Sequence, residues 1–96
     1  NVYPKEVEAA IDDHPDVLES AVVGLPHRDL GEVAVAVLVP IPGSKVDPTD
    51  LQRWLGSTLA RFKLPREFVV LDQLPRNTMG KVQKAELRKT YAGLFT

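Results

Sequence analysis

Residues 33–39 read Val-Ala-Val-Ala-Val-Leu-Val, apolar at every position, and the run closes on Pro40 and Pro42. A strand with one wet face alternates polar and apolar side chains, so a run like this one needs cover on both faces. The stretch from Glu32 to Val39 is therefore expected to be the central strand of a small sheet, with helices packed on it. Few folds satisfy that demand in 96 residues.

The flanking segments supply the cover. Pro4 suits a first helical turn, Glu6 and Glu8 favour the positive end of a helix, and Val7, Ala10 and Ile11 share one face. His14-Pro15 ends that helix, since a residue before proline avoids helical geometry. Ser20 to Leu25 forms a strand-like apolar run, followed by a polar loop from Leu25 to Gly31. Asp47-Pro48-Thr49-Asp50 carries an N-cap acid, a proline at the first position and a second acid in the first turn. Leu51, Trp54, Leu55, Thr58 and Leu59 then recur at helical spacing, with Trp54 as a core anchor. Phe68 to Leu71 is a short strand after Pro65. Gln83 to Tyr91 forms a last helix, basic outside, with Leu87 and Tyr91 as an i, i+4 pair. The order α-β-β-α-β-α predicts one α+β domain over residues 1–96, a small three-stranded sheet flanked by helices. A chain of this length buries about 60% of the surface it would expose unfolded.

Composition removes several function classes. The chain has no cysteine, which excludes disulfides, thiolate metal sites and Cys nucleophiles. His14 and His27 have no ligand-like partner three or four residues away, so both are read as helix-end or loop residues, and no metal site is expected. No apolar run approaches the ~18 residues of a membrane span. No signal peptide opens the chain, so a cytoplasmic location and no membrane partner are expected. Residues 1–60 carry four basic and ten acidic side chains, a balance of −6; residues 61–96 carry eight and three, a balance of +5. The basic end fits either an anionic partner or a solvated basic helix. A nucleic acid is not the expected partner, because the whole chain is slightly acidic and lacks a glycine-aromatic recognition motif.

Leu74-Pro75-Arg76-Asn77-Thr78-Met79-Gly80-Lys81-Val82-Gln83-Lys84 is a proline-opened loop with one glycine and then a lysine. A lysine on a Gly-flanked loop can reach a phosphate or carboxylate that backbone bulk would otherwise block. It is not a P-loop: the positions that need glycine and Ser/Thr hold Pro75 and Val82. There is no dinucleotide-type glycine triplet, no Ser-His-Asp set and no paired-carboxylate spacing. Motif grammar alone leaves Lys81 an exposed loop lysine.

Four segments together carry a family resemblance. They are Asn1 to Glu8; His14-Pro15-Asp16-Val17 leading to Ala21–Pro26 and Gly31-Glu32; Phe62-Lys63-Leu64-Pro65; and Leu74 to Val82. In order and spacing they resemble the small C-terminal domain of the acyl- and aryl-CoA synthetases, the adenylate-forming superfamily. The run Arg76 to Lys84 most resembles that of malonyl-CoA synthetases. The resemblance implies a mobile lid whose partner, an N-terminal domain with the acyl pocket, most of the ATP site and the Mg²⁺, lies outside these residues.

The implied reaction has two steps. A small carboxylic acid, malonate in the nearest-looking branch, attacks the α-phosphate of ATP to give an acyl-adenylate and pyrophosphate. The lid then rotates and the CoA thiol attacks the adenylate. Lys81 matches the lysine of the first step, with Gly80 beside it at the ATP/adenylate. Phe62, Lys63 and Arg66 match the positions that meet the nucleotide end of CoA, Phe62 stacking on adenine; the alternative is that Phe62 packs in the core. Leu64 stands where some relatives carry arginine. Asn1, Val2 and Tyr3 would lie near the pantetheine channel. Relatives are regulated by lysine acylation, which makes Lys81 a candidate substrate of a lysine acetyltransferase and the isolated domain an interaction module. Without its N-terminal domain, this chain is expected to be inactive.

Overall fold

A computed structural model describes all of residues 1–96. Helix α1 (Pro4–Asp12) opens on proline and buries Val7, Ala10 and Ile11. Strands β1 (Val17–His27) and β2 (Gly31–Pro40) form an antiparallel hairpin. Helix α2 (Pro48–Leu55) follows, its first turn closed by Asp47 Oδ1 accepting from the Thr49 amide at 2.8 Å. A 3₁₀ turn (Arg61–Lys63) leads to β3 (Glu67–Val70), which pairs in parallel with β2. Helix α3 (Lys84–Thr90) comes last. The strand order β1-β2-β3 puts β2 in the middle, as its two apolar faces require.

The period-2 alternation of a strand divides the core into two layers. Ala36 and Leu38 of β2 face α1 and α2, against Ile11, Leu51 and Leu55. Val35, Val37 and Val39 face the opposite way, toward Leu74 and Leu87 of the α3 side. Each fully buried leucine in these layers contributes about 1.5–3 kcal/mol relative to exposure. Strand β1 obeys the same rule with one interruption. Ala21, Val23 and Leu25 face the α3 layer, yet Val17, of the same parity, sits in the α1/α2 layer. A register shift between Val17 and Glu19 accounts for this: Leu18 is an extra, outward-facing residue, and it flips the parity of what precedes it.

Three local expectations change. The polar loop is only Arg28 to Leu30, because Leu25, Pro26 and His27 continue β1. Proline is tolerated there because β1 is an edge strand, with one row of amide positions facing away from the sheet. His27 Nδ1 accepts from the Asp29 and Leu30 amides at 3.0 and 3.1 Å and closes the short turn, so this histidine has a structural role. Trp54 is a rim residue rather than an anchor: it is half-buried, and its ring meets His14 edge-on at 5.0 Å. Finally, α2 stops at Leu55 with Gly56 as its cap, so Thr58 lies beyond the helix; Leu59 is still buried in the first layer.

Over the free edge of β1, α1 extends two acids one turn apart. Glu8 Oε2 accepts from the Val22 amide at 2.7 Å, and Asp12 Oδ1 accepts from Ser20 Oγ at 2.7 Å. Lost hydration pushes the Asp12 carboxyl above its ordinary range; the Ser20 hydrogen bond opposes this, and the charges of Glu8, Asp13 and Glu19 add to it. A raised native pKa means the folded state holds the proton more tightly. The associated stability is present at low pH and is lost as pH rises from about 4 through the native value. Asp12→Asn keeps an acceptor for Ser20 and removes the charge. It is expected to raise Tm at pH 7 and leave it unchanged at pH 3; a lower Tm at pH 7 in thermal melts contradicts this account.

Candidate active-site lid

Leu74 is buried in the α3-side layer and fixes one end of the Gly80-Lys81 loop. The Gln83 amide donates to the Pro75 carbonyl at 2.8 Å, and Arg76 and Val82 form an antiparallel bridge, so the loop is a closed turn. Asn77 seals its inside. Its carboxamide oxygen accepts from the Met79 and Lys81 amides at 3.0 and 2.9 Å, and its carbonyl accepts from the Gly80 amide at 3.0 Å. Gly80 has φ +85, which a residue with a Cβ rarely adopts. Nothing stands within 4 Å of where that Cβ would be, so the backbone sign, and not crowding within this domain, calls for glycine.

This frame presents an exposed Lys81 that takes part in none of the chain's ion pairs. Its basic neighbours are engaged. Arg76 pairs with Glu19, and Lys84 pairs with Glu8 at 2.7 Å. Lys81 is thus a cation free to meet an anion supplied from outside the domain. Met79 beside it is 90% exposed.

A second site lies on a different loop. The 3₁₀ turn holds Phe62 71% exposed, so Phe62 is not in the core. Its ring meets the Tyr3 ring edge-on at 6.0 Å. Lys63 Nζ lies 4.8 Å from the Tyr3 centroid and 5.6 Å from that of Phe62, and it pairs with Glu6 Oε1 at 2.9 Å. An open cleft of about 470 Å³ runs along these residues, with Asn1, Val2 and Tyr3 on one side and Arg61 and Arg66 on the other. The expected neighbourhood of Phe62, Lys63 and Arg66 with the first three residues is therefore present, though Lys63 is partly occupied by Glu6. Arg61 is a cleft residue the motif comparison passed over; its place directly before Phe62 in a basic run was the available signal. The structure does not bring Lys81 to this cleft. The two features sit on separate loops, on either side of β3.

No group of three or more His, Asp or Glu side chains converges in a way that could hold a metal, so the chain's own residues do not fit a Mg²⁺ site. No helix is long and apolar enough to cross a membrane.

Comparison with known proteins shows the family. The family profile described as the AMP-binding enzyme C-terminal domain matches residues 6–81. The indoleacetate–CoA ligase of Aromatoleum aromaticum is 45% identical over 92 residues, covering 96% of this chain and 18% of that protein. A long-chain-fatty-acid–CoA ligase of Mycobacterium tuberculosis is 40% identical over 92 residues, again 96% of this chain and 18% of that protein. Among solved structures, ATP-bound MatB from Rhodopseudomonas palustris superposes with a TM-score of 0.95 at 49% identity, covering 100% of this chain and 19% of MatB. The chain thus spans under a fifth of the length of these relatives, and it aligns with the same three-stranded, three-helix unit in MatB.

Proposed function

The chain belongs to the AMP-binding enzyme C-terminal domain family, whose matching relatives are acyl-CoA ligases, and from that premise we propose that residues 1–96 are the mobile lid of an ATP-dependent acid–CoA ligase. One observation carries the reading: an exposed lysine without an ion-pair partner at the head of a turn whose backbone is fully braced. In the first step a carboxylate oxygen bonds to the α-phosphorus of ATP, and the bond to the bridging oxygen breaks to release pyrophosphate. Lys81 supplies positive charge where negative oxygens crowd together, and the rigid turn keeps reorganisation small. In the second step the lid turns its other side inward. The CoA sulfur bonds to the acyl carbon and AMP leaves. Phe62 stacks on the adenine of CoA, and Arg61 and Arg66 meet its phosphates. Lys63, held beneath the two rings by Glu6, adds charge to the same cleft.

The remaining parts of the active site belong to an N-terminal domain, the main partner of this lid, and Mg²⁺ would be held there. Malonate is the preferred acid in this reading, on the strength of the Arg76–Lys84 run, which resembles that of malonyl-CoA synthetases, and the likeness of the whole chain to MatB supports the same branch. The setting is cytoplasmic. The exposure of Lys81 would also open it to a lysine acetyltransferase, and acetylation there would remove the charge on which the first step depends.

Acid-dependent ATP–pyrophosphate exchange and thioester formation by the full-length protein test the proposal directly. Both activities are expected, with malonate the best acid in a panel that includes aryl and long-chain acids, and neither activity is expected from residues 1–96 alone. Absence of exchange with every acid would refute the ligase reading; a stronger response to another acid would refute only malonate.

A further inference from the structure

Arg76 does more than close the ends of its loop. One terminal guanidinium nitrogen, Nη1, donates to the Gly80 carbonyl at 2.7 Å, and the other, Nη2, pairs with the carboxylate of Glu19 on β1, 57 positions earlier. The turn that presents Lys81 is closed internally by Asn77, but those hydrogen bonds set only its shape. They do not set its tilt relative to the sheet. Val82 packs on the core beneath, and among the loop's side chains Arg76 makes the hydrogen bond that ties the turn to β1. It grips the peptide unit joining Gly80 to Lys81. A planar fork can hold two acceptors at once in fixed directions, which a lysine ammonium on a flexible stem cannot do equally well.

Glu19 shares the parity of Ala21, Val23 and Leu25 and lies opposite Val39, so its place in β1 faces it to the α3 side, where the loop lies; the bulge at Leu18 sends only Val17 to the other layer.

We propose that the Glu19–Arg76 pair is a brace that sets the position of Lys81, making Arg76 a positioning residue for the adenylation step. This rests on the ligase reading and on the role given there to Lys81. A turn that swings freely still carries its lysine, yet samples the productive geometry less often. An effect on kcat of exchange is therefore expected, with little effect on the KM for ATP. The second step, with the lid turned, does not use the braced lysine.

The test is a double-mutant cycle in the full-length protein, with exchange and thioester formation from supplied acyl-adenylate measured separately. Arg76→Ala is expected to lower kcat of exchange roughly tenfold to hundredfold, with the KM for ATP unchanged within about twofold and thioester formation preserved. Glu19→Gln should show a smaller drop of the same kind. Arg76→Lys, which keeps the charge but not the fork, should fall between wild type and Arg76→Ala; it also serves as the measurable variant if the alanine protein is poorly folded. On a Lys81→Ala background, Arg76→Ala should remove nothing further, because the residue to be positioned is gone. Equal losses in both half-reactions would mean a purely structural arginine and overturn the brace. A raised KM for ATP with Glu19→Gln silent would overturn it in favour of direct phosphate contact. Wild-type exchange in Arg76→Ala alongside loss in Lys81→Ala would reject the brace and leave the ligase reading intact. Retained exchange in Lys81→Ala would instead sink the reading on which the brace depends.

Discussion

Full-length protein carrying Lys81→Ala is expected to lose acid-dependent ATP–pyrophosphate exchange by roughly 10²- to 10³-fold, as removal of one preorganised charge from a transition state does. Thioester formation from supplied acyl-adenylate should continue near the wild-type rate. The asymmetry follows from the architecture. Lys81 and the Phe62 cleft are on different loops, and the proposed mechanism uses Lys81 in the first step and the cleft in the second. Lys81→Arg should rescue little. It retains charge, but its larger fork needs planar acceptors where a compact ammonium can sit between two groups. Because Lys81 is exposed and unpaired, neither substitution should shift Tm appreciably, since surface changes of this kind stay within about 0.5 kcal/mol. Loss of both half-reactions with a lowered Tm would mean that the lysine holds the fold, not the chemistry.

Most of this architecture could be read from residue pattern, and the exceptions have physical causes. The run Val33–Val39 specified β2 and its central place because apolar residues on both faces admit few alternatives. The Asp47-Pro48 signal located the start of α2 to the residue because capping is local chemistry. The end of β1 is not legible in the residues, because proline is a breaker in isolation and tolerable on an edge, and which strand is at the edge depends on the whole sheet. The motif assigns Lys63 to the nucleotide end of CoA but does not show Glu6, which partly neutralises it from 57 positions away. The Glu19–Arg76 brace has the same separation, and no local periodicity reveals it. Loop chemistry was legible where it was local, and long-range ion pairs were not.

Phe62 gives the second large effect. Phe62→Ala in the full-length protein is expected to raise the KM for CoA about 5- to 150-fold, the loss of one base–aromatic stack worth ~1–3 kcal/mol. Exchange, which precedes CoA, should be unchanged. The exposure of the ring makes the prediction sharp: a core phenylalanine replaced by alanine destabilises by about 3–5 kcal/mol, whereas a ring 71% exposed has little burial to lose. Its orientation is set instead by the edge contact with Tyr3 and by Lys63 beneath both rings. Phe62→Trp offers a larger face on the same turn and should preserve the KM. An adenine-free thiol such as pantetheine, which cannot stack, should lose its dependence on residue 62, and that distinguishes base stacking from a general distortion of the cleft. If Phe62→Ala raises the KM equally for CoA and for a simple pantetheine thiol, the ring acts on the thiol arm, and the adenine assignment falls while the lid itself stands.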